Sequence, residues 1–335
     1  MPNINKLLSG NRVGEIARVL NKAINTSAGS GGDFLPTPLA SEFINFVRDK
    51  NFLRQMFRNV PMMSKTRDIP KILSGLTVYF ENTETTDAVS TDLGSGTVRL
   101  TAKKFLAYAR IASEAFEDSA FDMDMIIRDS FAQAAASGEE NAMIQGDTTH
   151  TANASTPSAA TSSNWYSKDQ RLIYDGLLKK AKDISDAAPP VDCSGQDMST
   201  TLARQAMHNL GKYGRVMSDL VLILNPWSVN QLLDDSKLVT LEKYGVNATI
   251  FTGEIGKLYG KITVINSAFM EDGYGVMTHI GNPVIGDRRQ IKIEQEREAK
   301  KDATDYVFSE RHDFTIEYGD AVCYLHTLDT QSELS

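Results

Sequence analysis

The sequence predicts an α+β fold, and three observations carry that prediction. Between Thr97 and Gly146 an alternating strand hands directly over to one long helix. Residues 165–287 alternate helical and strand patterns, which makes a compact α/β-type unit. The stretch 60–112 reads as a long two-stranded excursion, and its middle, Glu81 to Gly96, has only Ala88, Val89 and Leu93 as apolar residues. Such a segment cannot bury itself and needs a neighbour to hold it.

Composition fits these units. At 335 residues the chain is long enough for two or three packed cores. Its 41% hydrophobic and 23% charged content lies in the ordinary globular range. A net charge of -8 leaves the chain as a whole without an electrostatic footprint for nucleic acid. Residues 1–30 are the local exception, with Lys6, Arg12, Arg18 and Lys22 against Glu15, a net of +3. Two cysteines, Cys193 and Cys323, stand far apart and suggest neither a disulfide framework nor a metal site. The N-terminus has no uninterrupted apolar region of the secretory kind. No window approaches the roughly 18 apolar residues of a bilayer span. A soluble protein made in a reducing compartment is expected, with no membrane partner.

The elements follow in order. Ile4, Leu7, Leu8, Val13, Ile16, Ala17, Leu20 and Ile24 fall mostly at helical spacing, but Gly10 and Gly14 weaken it. A short helix or an arm that orders on a partner is expected over 1–28, followed by the flexible joint Ser27–Gly32. A helix from Pro38 to about Asn51 presents Leu39, Phe43, Ile44 and Val47 on one side. Thr77–Phe80 is strand-like, and Val98 to Ile111 returns. Phe105, Ala107, Ala109 and Ile111 share one face of that return, and Leu106, Tyr108 and Arg110 share the other. Ser119 and Asp122 form a Ser-x-x-Asp capping signature. The helix they open runs from Ala120 to about Gln145, about 39 Å at 1.5 Å per residue, and Gly146 stops it.

Thr148–Asn164 is a low-complexity loop. Ile173, Leu177, Ala181 and Ile184 give a helix over 169–187. Val221–Leu224 is a continuous apolar run of buried-strand type. Asn225-Pro226 ends it and opens a helix, with Asn as cap and Pro at the first helical position. Ile262–Ile265 is another short strand, and Ile291 and Ile293 start one more. Phe314, Ile316 and Tyr318 alternate, Gly319-Asp320 turns, and Ala321, Cys323 and Leu325 alternate back, a pattern that predicts a hairpin.

A search for reactive chemistry returns little. His150, His208, His279, His312 and His326 share no metal-ligand spacing, and structural or solvated roles fit them. Gly256 to Lys261 has one residue too few between its glycines for a phosphate loop, and Ile262 stands where Ser or Thr must bind Mg²⁺. Glu117, Asp118, Asp122 and Asp124 suit the first turn of a helix without any cation. Catalytic, cofactor and metal sites are therefore all expected to be absent. The four cations of the N-terminal arm neutralise only a few phosphates, so any nucleic-acid contact there is weak and salt-sensitive. A solvated or subunit-docking arm accounts for the same charges.

Several segments in sequence carry a family resemblance. They are Gly31-Gly32-Asp33-Phe34-Leu35-Pro36, Lys103 to Glu114, Phe116-Glu117-Asp118-Ser119 and Glu139 to Asp147. Val221 to Pro226 with Leu232 and Leu233, and Leu258-Tyr259-Gly260 before Ile262–Ile265, continue the series. Their order and spacing resemble the major capsid proteins of tailed bacteriophages, the Hong Kong phage type of fold, over about residues 30–328. The resemblance implies an N-terminal arm at 1–58 and an extended loop at 59–112. It implies a peripheral domain at 113–165 with a long spine helix, an axial domain at 166–287, and peripheral strands and the C-terminus at 288–335.

The function implied is a structural head protein without catalysis. It would assemble into hexamers and pentamers of an icosahedral shell around viral double-stranded DNA, in a virion built in the host bacterial cytoplasm. An encapsulin-type cargo shell is the alternative within the fold, and an α/β enzyme the alternative outside it. Expected partners are other copies, a portal, a separate scaffolding protein (only about thirty residues precede the arm) and weakly held packaged DNA; the shell would hold by its own contacts alone or with a decoration or cement protein. Glu81, Glu84, Asp87 and Asp92 on the extended loop would meet Arg297, Lys300, Lys301 or Arg311 of a neighbour. Lys6, Arg12, Arg18 and Lys22 would face the interior. Some members weld the loop to a neighbour by a Lys–Asn isopeptide bond. Here Ser74 to Ala102 contains no lysine, with Lys71 and Lys103 at its base, so no such cross-link is expected.

Overall fold

A computed structural model describes residues 53–80, 90–117, 123–149, 169–183, 188–235, 257–259 and 261–330. The arm cations Lys6, Arg12, Arg18 and Lys22, the helix at 38–51, the acids Glu81, Glu84 and Asp87, and the Ser119/Asp122 cap lie outside the described residues. The elements in chain order are α1 (Leu53–Met56), β1 (Arg58–Pro61), β2 (Thr66–Ser74), β3 (Gly94–Thr101), β4 (Lys103–Ala112), α2 (Ser113–Glu117) and α3 (Met123–Gln145). There follow α4 (Leu177–Asp183), β5 (Val191–Asp192), α5 (Thr200–Asn209), β6 (Leu220–Leu224), α6 (Pro226–Asp234), β7 (Lys257–Leu258) and β8 (Ile262–Asn266). The last are β9 (Gly275–His279), β10 (Pro283–Glu298), β11 (Ala303–Ile316) and β12 (Val322–His326).

The larger sheet has the order β5-β12-β9-β6-β8-β7. Its central strand β6 is apolar at every position and buried at every position, as the unbroken run predicts. Leu220, Leu222 and Leu224 pack with Leu202, Ala203 and Ala206 of α5 and Leu232 of α6. Val221 and Ile223 face the other way, onto Leu177 and Leu178 of α4 and Ala142, Met143 and Ile144 at the end of α3. One strand thus joins two cores. The helix after it starts as its sequence dictates: the Asn225 side chain accepts from the Ser228 N–H at 2.8 Å, with Pro226 in the first turn.

The second sheet has the order β1-β10-β11-β4 and carries α3 on one face. Ile127, Phe131 and Ala135 of the helix pack on Tyr306 and Phe308, flanked by Ala107, Ala109 and Ile111 of β4. The predicted alternation of β4 holds, since Leu106 and Tyr108 on its opposite face are exposed. A two-stranded ribbon of β2 and β3 leaves this body, and Met62, Leu100, Ala102 and Val284 bury its base.

Four expectations need correction. Thr77–Phe80 forms no strand; the outgoing strand is β2, earlier in the chain. The return from Val98 to Ile111 is two strands in different sheets, because β3 pairs with β2 whereas β4 pairs with β11. Phe314–Leu325 is not a hairpin. Gly319–Ala321 forms a 3₁₀ turn without the left-handed residues a tight hairpin needs, and β12 crosses to pair with β9 and β5. The helix expected over 169–187 is a short turn at Gln170–Leu172 followed by α4, with a backbone crossing at Gly176 in between. Helix α5 escaped notice, although Ser199 caps it and Leu202, Ala203 and Ala206 mark its buried face.

Candidate assembly surfaces and a buried polar junction

Among the described residues, ribbon β2–β3 is held at its base. Its strands run antiparallel from Thr66 opposite Thr101 to Ile72 opposite Ser95, with an irregularity before Ser74. Val98 and Leu100 are its buried residues. The Thr101 N–H donates to Asp313 at 2.5 Å, and Lys71 Nζ donates to the Glu317 carbonyl at 2.6 Å, so the base is tied to β11 and the segment after it. Beyond the base, Ile72, Leu73, Leu76 and Leu93 are exposed, and Val78 and Phe80 are 94% and 88% exposed. A two-stranded ribbon is marginal alone, and these apolar side chains have little cover among the described residues. Asp92 sits exposed just before β3.

The tip of the β10–β11 hairpin holds three of the cations singled out in sequence. Arg297 pairs with Asp302 at 3.1 Å and Lys301 with Glu298 at 3.0 Å, both within the chain. Lys300 is exposed beside them. Arg110 of β4 reaches Asp305 at 2.7 Å and Glu298 at 2.6 Å, and its hydrogen bonds hold the Asp305 carboxyl down to about 2. Arg311 lies elsewhere on the sheet, in register between Arg289 of β10 and Lys104 of β4. Three like charges side by side across neighbouring strands repel one another. They form a basic row on the sheet face away from α3, next to the exposed Leu106 and Tyr108.

Beneath α3 the structure assembles a polar cluster that sequence reasoning missed. Glu139 comes from α3, and Glu310 and His312 from β11; all three are buried. Arg54 donates to Glu139 Oε1 at 2.6 Å and to Asp287 Oδ1 at 2.6 Å. His312 Nδ1 lies 3.6 Å from Glu139 Oε1 and 3.8 Å from Glu310 Oε1. The imidazole is clamped by Phe105, stacked at 4.3 Å between centroids, and by the Tyr174 hydroxyl at 3.3 Å from Nε2. Burial, with Arg54 nearby, pushes His312 down to about 3, so the ring is neutral. Burial and the Glu139 charge push Glu310 up to about 8. The one local signal was Glu310-x-His312, which puts both side chains on one face of a strand.

The remaining histidines are dispersed. His208 is on α5, His279 is 3.8 Å from Asp219, and His326 contacts Thr327, while His150 lies outside the described residues. Both cysteines are buried and free. Of the acids near the start of α3, Asp124 is taken up by Arg128 at 2.7 Å, Tyr306 at 3.0 Å and Gln295 at 2.5 Å, which explains it without a cation.

The chain matches the model of the phage capsid family over residues 31–327. It is 23% identical over 301 residues to the major capsid protein of Escherichia phage T5, a match covering 87% of this chain and 61% of that protein. It is 28% identical over 131 residues to the major capsid protein of Klebsiella oxytoca phage phiKO2, covering 39% of this chain and 30% of that one. The chain thus matches less than two thirds of the length of either curated relative. Among solved structures, the capsid of a native GTA particle superposes with a TM-score of 0.68 at 15% identity, over 91% of this chain and 99% of that one. The capsid of cyanophage P-SCSP1u gives 0.64 at 15% identity, over 92% and 98%. With the family match running through nearly every element described above, and the fold shared with capsid structures, this chain belongs to the phage capsid family and has the Hong Kong phage type of fold.

Proposed function

We propose that this chain is a major capsid protein that tiles an icosahedral shell as hexamers and pentamers around viral double-stranded DNA. The observation that carries the reading is the β2–β3 ribbon. It exposes Ile72, Leu73, Leu76, Val78 and Phe80 with only its base buried, which suits a segment completed by another copy. Family membership supports the same role. The domain scheme follows: arm 1–58, extended loop 59–112, peripheral parts 113–165 and 288–335, axial domain 166–287.

On this reading Glu81, Glu84, Asp87 and Asp92 reach cations of a neighbour. Arg311, in its basic row, and Lys300 are the better partners, because Arg297 and Lys301 already have acids of their own chain. Lys6, Arg12, Arg18 and Lys22 line the interior and touch DNA weakly, as the net charge of -8 favours. The shell engages a portal and a scaffolding protein as partners, and assembly takes place in the host cytoplasm. An encapsulin-type shell is less favoured, since both curated matches are major capsid proteins.

Electron microscopy of particles containing this chain tests the proposal. Closed icosahedral shells filled with DNA are expected. Shells filled with protein cargo would point to an encapsulin, and a monodisperse monomer or dimer in the presence of scaffolding would overturn the shell reading.

A further inference from the structure

We infer that Glu139, Glu310 and His312 form a binding site for one divalent transition-metal ion of the Zn²⁺ class, placed between the spine helix α3 and strand β11. The three donor atoms all lie within 4.8 Å of one another. Two of the separations, 3.6 and 3.8 Å from His312 Nδ1 to the carboxylate oxygens, are close to the spacing between ligands of a tetrahedral ion, about 3.3 Å for bonds of 2.0–2.1 Å. Small side-chain shifts close the difference.

A second observation points to a ligand. The His312 side chain is only 2% exposed, its Nδ1 has no hydrogen-bond partner, and that atom is aimed at both carboxylates. Glu310 Oε1 is likewise buried without a partner. Buried polar atoms are nearly always satisfied, so two that are not, facing each other, call for a ligand between them. The Arg54 pair accounts for Glu139 but not for these two atoms.

Orientation is already supplied. The Tyr174 hydroxyl on Nε2 and the stacked Phe105 ring fix the imidazole so that the neutral Nδ1 faces the carboxylates. Partners of this kind position metal-ligating histidines in general. Charge is compatible with this. Once an incoming ion displaces the proton that Glu310 holds, the carboxylates of Glu139, Glu310 and Asp287 against Arg54 and a neutral histidine sum to two negative charges, which one divalent cation balances. One nitrogen and two oxygens suit Zn²⁺, Mn²⁺ or Fe²⁺ better than Mg²⁺ or Ca²⁺, which prefer oxygen alone. A cleft of about 380 Å³, lined by Arg54, Ala132, Ala136, Gln290 and Ile291, reaches Glu139 and Glu310 and provides an entry path.

The site is independent of the shell reading, because all its ligands belong to one subunit. The test uses the full-length chain, stripped of metal with a chelator, reloaded with Zn²⁺ and gel-filtered, with metal per chain counted by elemental mass spectrometry. One Zn²⁺ per chain is expected. Glu310→Gln keeps the shape of the protonated carboxyl, so it should fold, yet it should weaken binding by more than about 100-fold, beyond what loss of an outer-shell partner costs. His312→Gln should do the same, and His279→Gln, at a half-buried histidine outside the cluster, should leave the Zn²⁺ content unchanged. Co²⁺ on the unaltered chain gives a readout that no variant can confound: visible bands of a four- or five-coordinate site are expected. Failure of the unaltered chain to retain Zn²⁺, equal Zn²⁺ content in Glu310→Gln and His279→Gln, or a purely six-coordinate Co²⁺ spectrum would each overturn the site.

Discussion

Gly146 and Gly176 meet backbone to backbone. The Gly176 N–H donates to the Gly146 carbonyl at 2.8 Å, and a Cβ on Gly146 would stand 2.3 Å from the Tyr174 carbonyl oxygen. The end of the spine helix is therefore stopped by a crossing chain, not by a left-handed cap, since Gly146 has no positive φ. Ala at Gly146 or Gly176 should destabilise the subunit by about 1–3 kcal/mol through overpacking. Gly75→Ala, where nothing lies within 4 Å, should be neutral. Thermal melts of the three variants check this, and an unchanged midpoint for Gly146→Ala would contradict the steric account.

The ribbon separates stability from assembly. Val78→Asp and Phe80→Ser change side chains that touch almost nothing within the chain, so the melting free energy should move by less than about 0.5 kcal/mol. Assembly into shells should nevertheless fail or slow. Leu100→Ala, at the buried base, should instead cost about 2–5 kcal/mol. Melting curves with particle counts from sedimentation distinguish the two classes. Normal shells from Val78→Asp would mean that the ribbon tip is not an interface.

Where one physical rule acts alone, the fold was legible. Continuous burial announced β6, alternation announced β4, and Asn225-Pro226 announced α6, because each depends on neighbouring residues only. Partner choice was not legible. β12 alternates equally well beside β11 or beside β9, and only the 3₁₀ turn at Gly319 sends it to the other sheet. Thr77–Phe80 has strand composition but no partner for its backbone among the described residues. The Glu139, Glu310 and His312 cluster was invisible because its members are brought together by the docking of a helix on a sheet, which no sequence spacing encodes.

The absence of lysine from Ser74 to Ala102 has a covalent consequence. The Lys–Asn weld of some family members needs a lysine amine on this loop, and Lys71 at its base is already donating to the Glu317 carbonyl. Boiled particles should run as a single band of subunit mass on a denaturing gel. A ladder of covalent oligomers would refute this.

Asp305 sets an acid-side limit on the β4–β11 edge. Its folded value, about 2, lies below the roughly 3.9 of an unfolded aspartate, because Arg110 and the Tyr108 hydroxyl hydrogen-bond the ionised form. A depressed carboxylate stabilises the fold fully above the unfolded value and loses that contribution as pH falls through the folded one. The stability gap between the unaltered chain and Asp305→Asn should therefore be constant at pH 5 and above, shrink between about pH 4 and pH 2, and close below that. The pair is exposed, so the gap should also narrow in high salt. Denaturant titrations of both chains at stepped pH measure it, and a gap that persists unchanged at pH 2 would show that Arg110 does not act through the charge of Asp305.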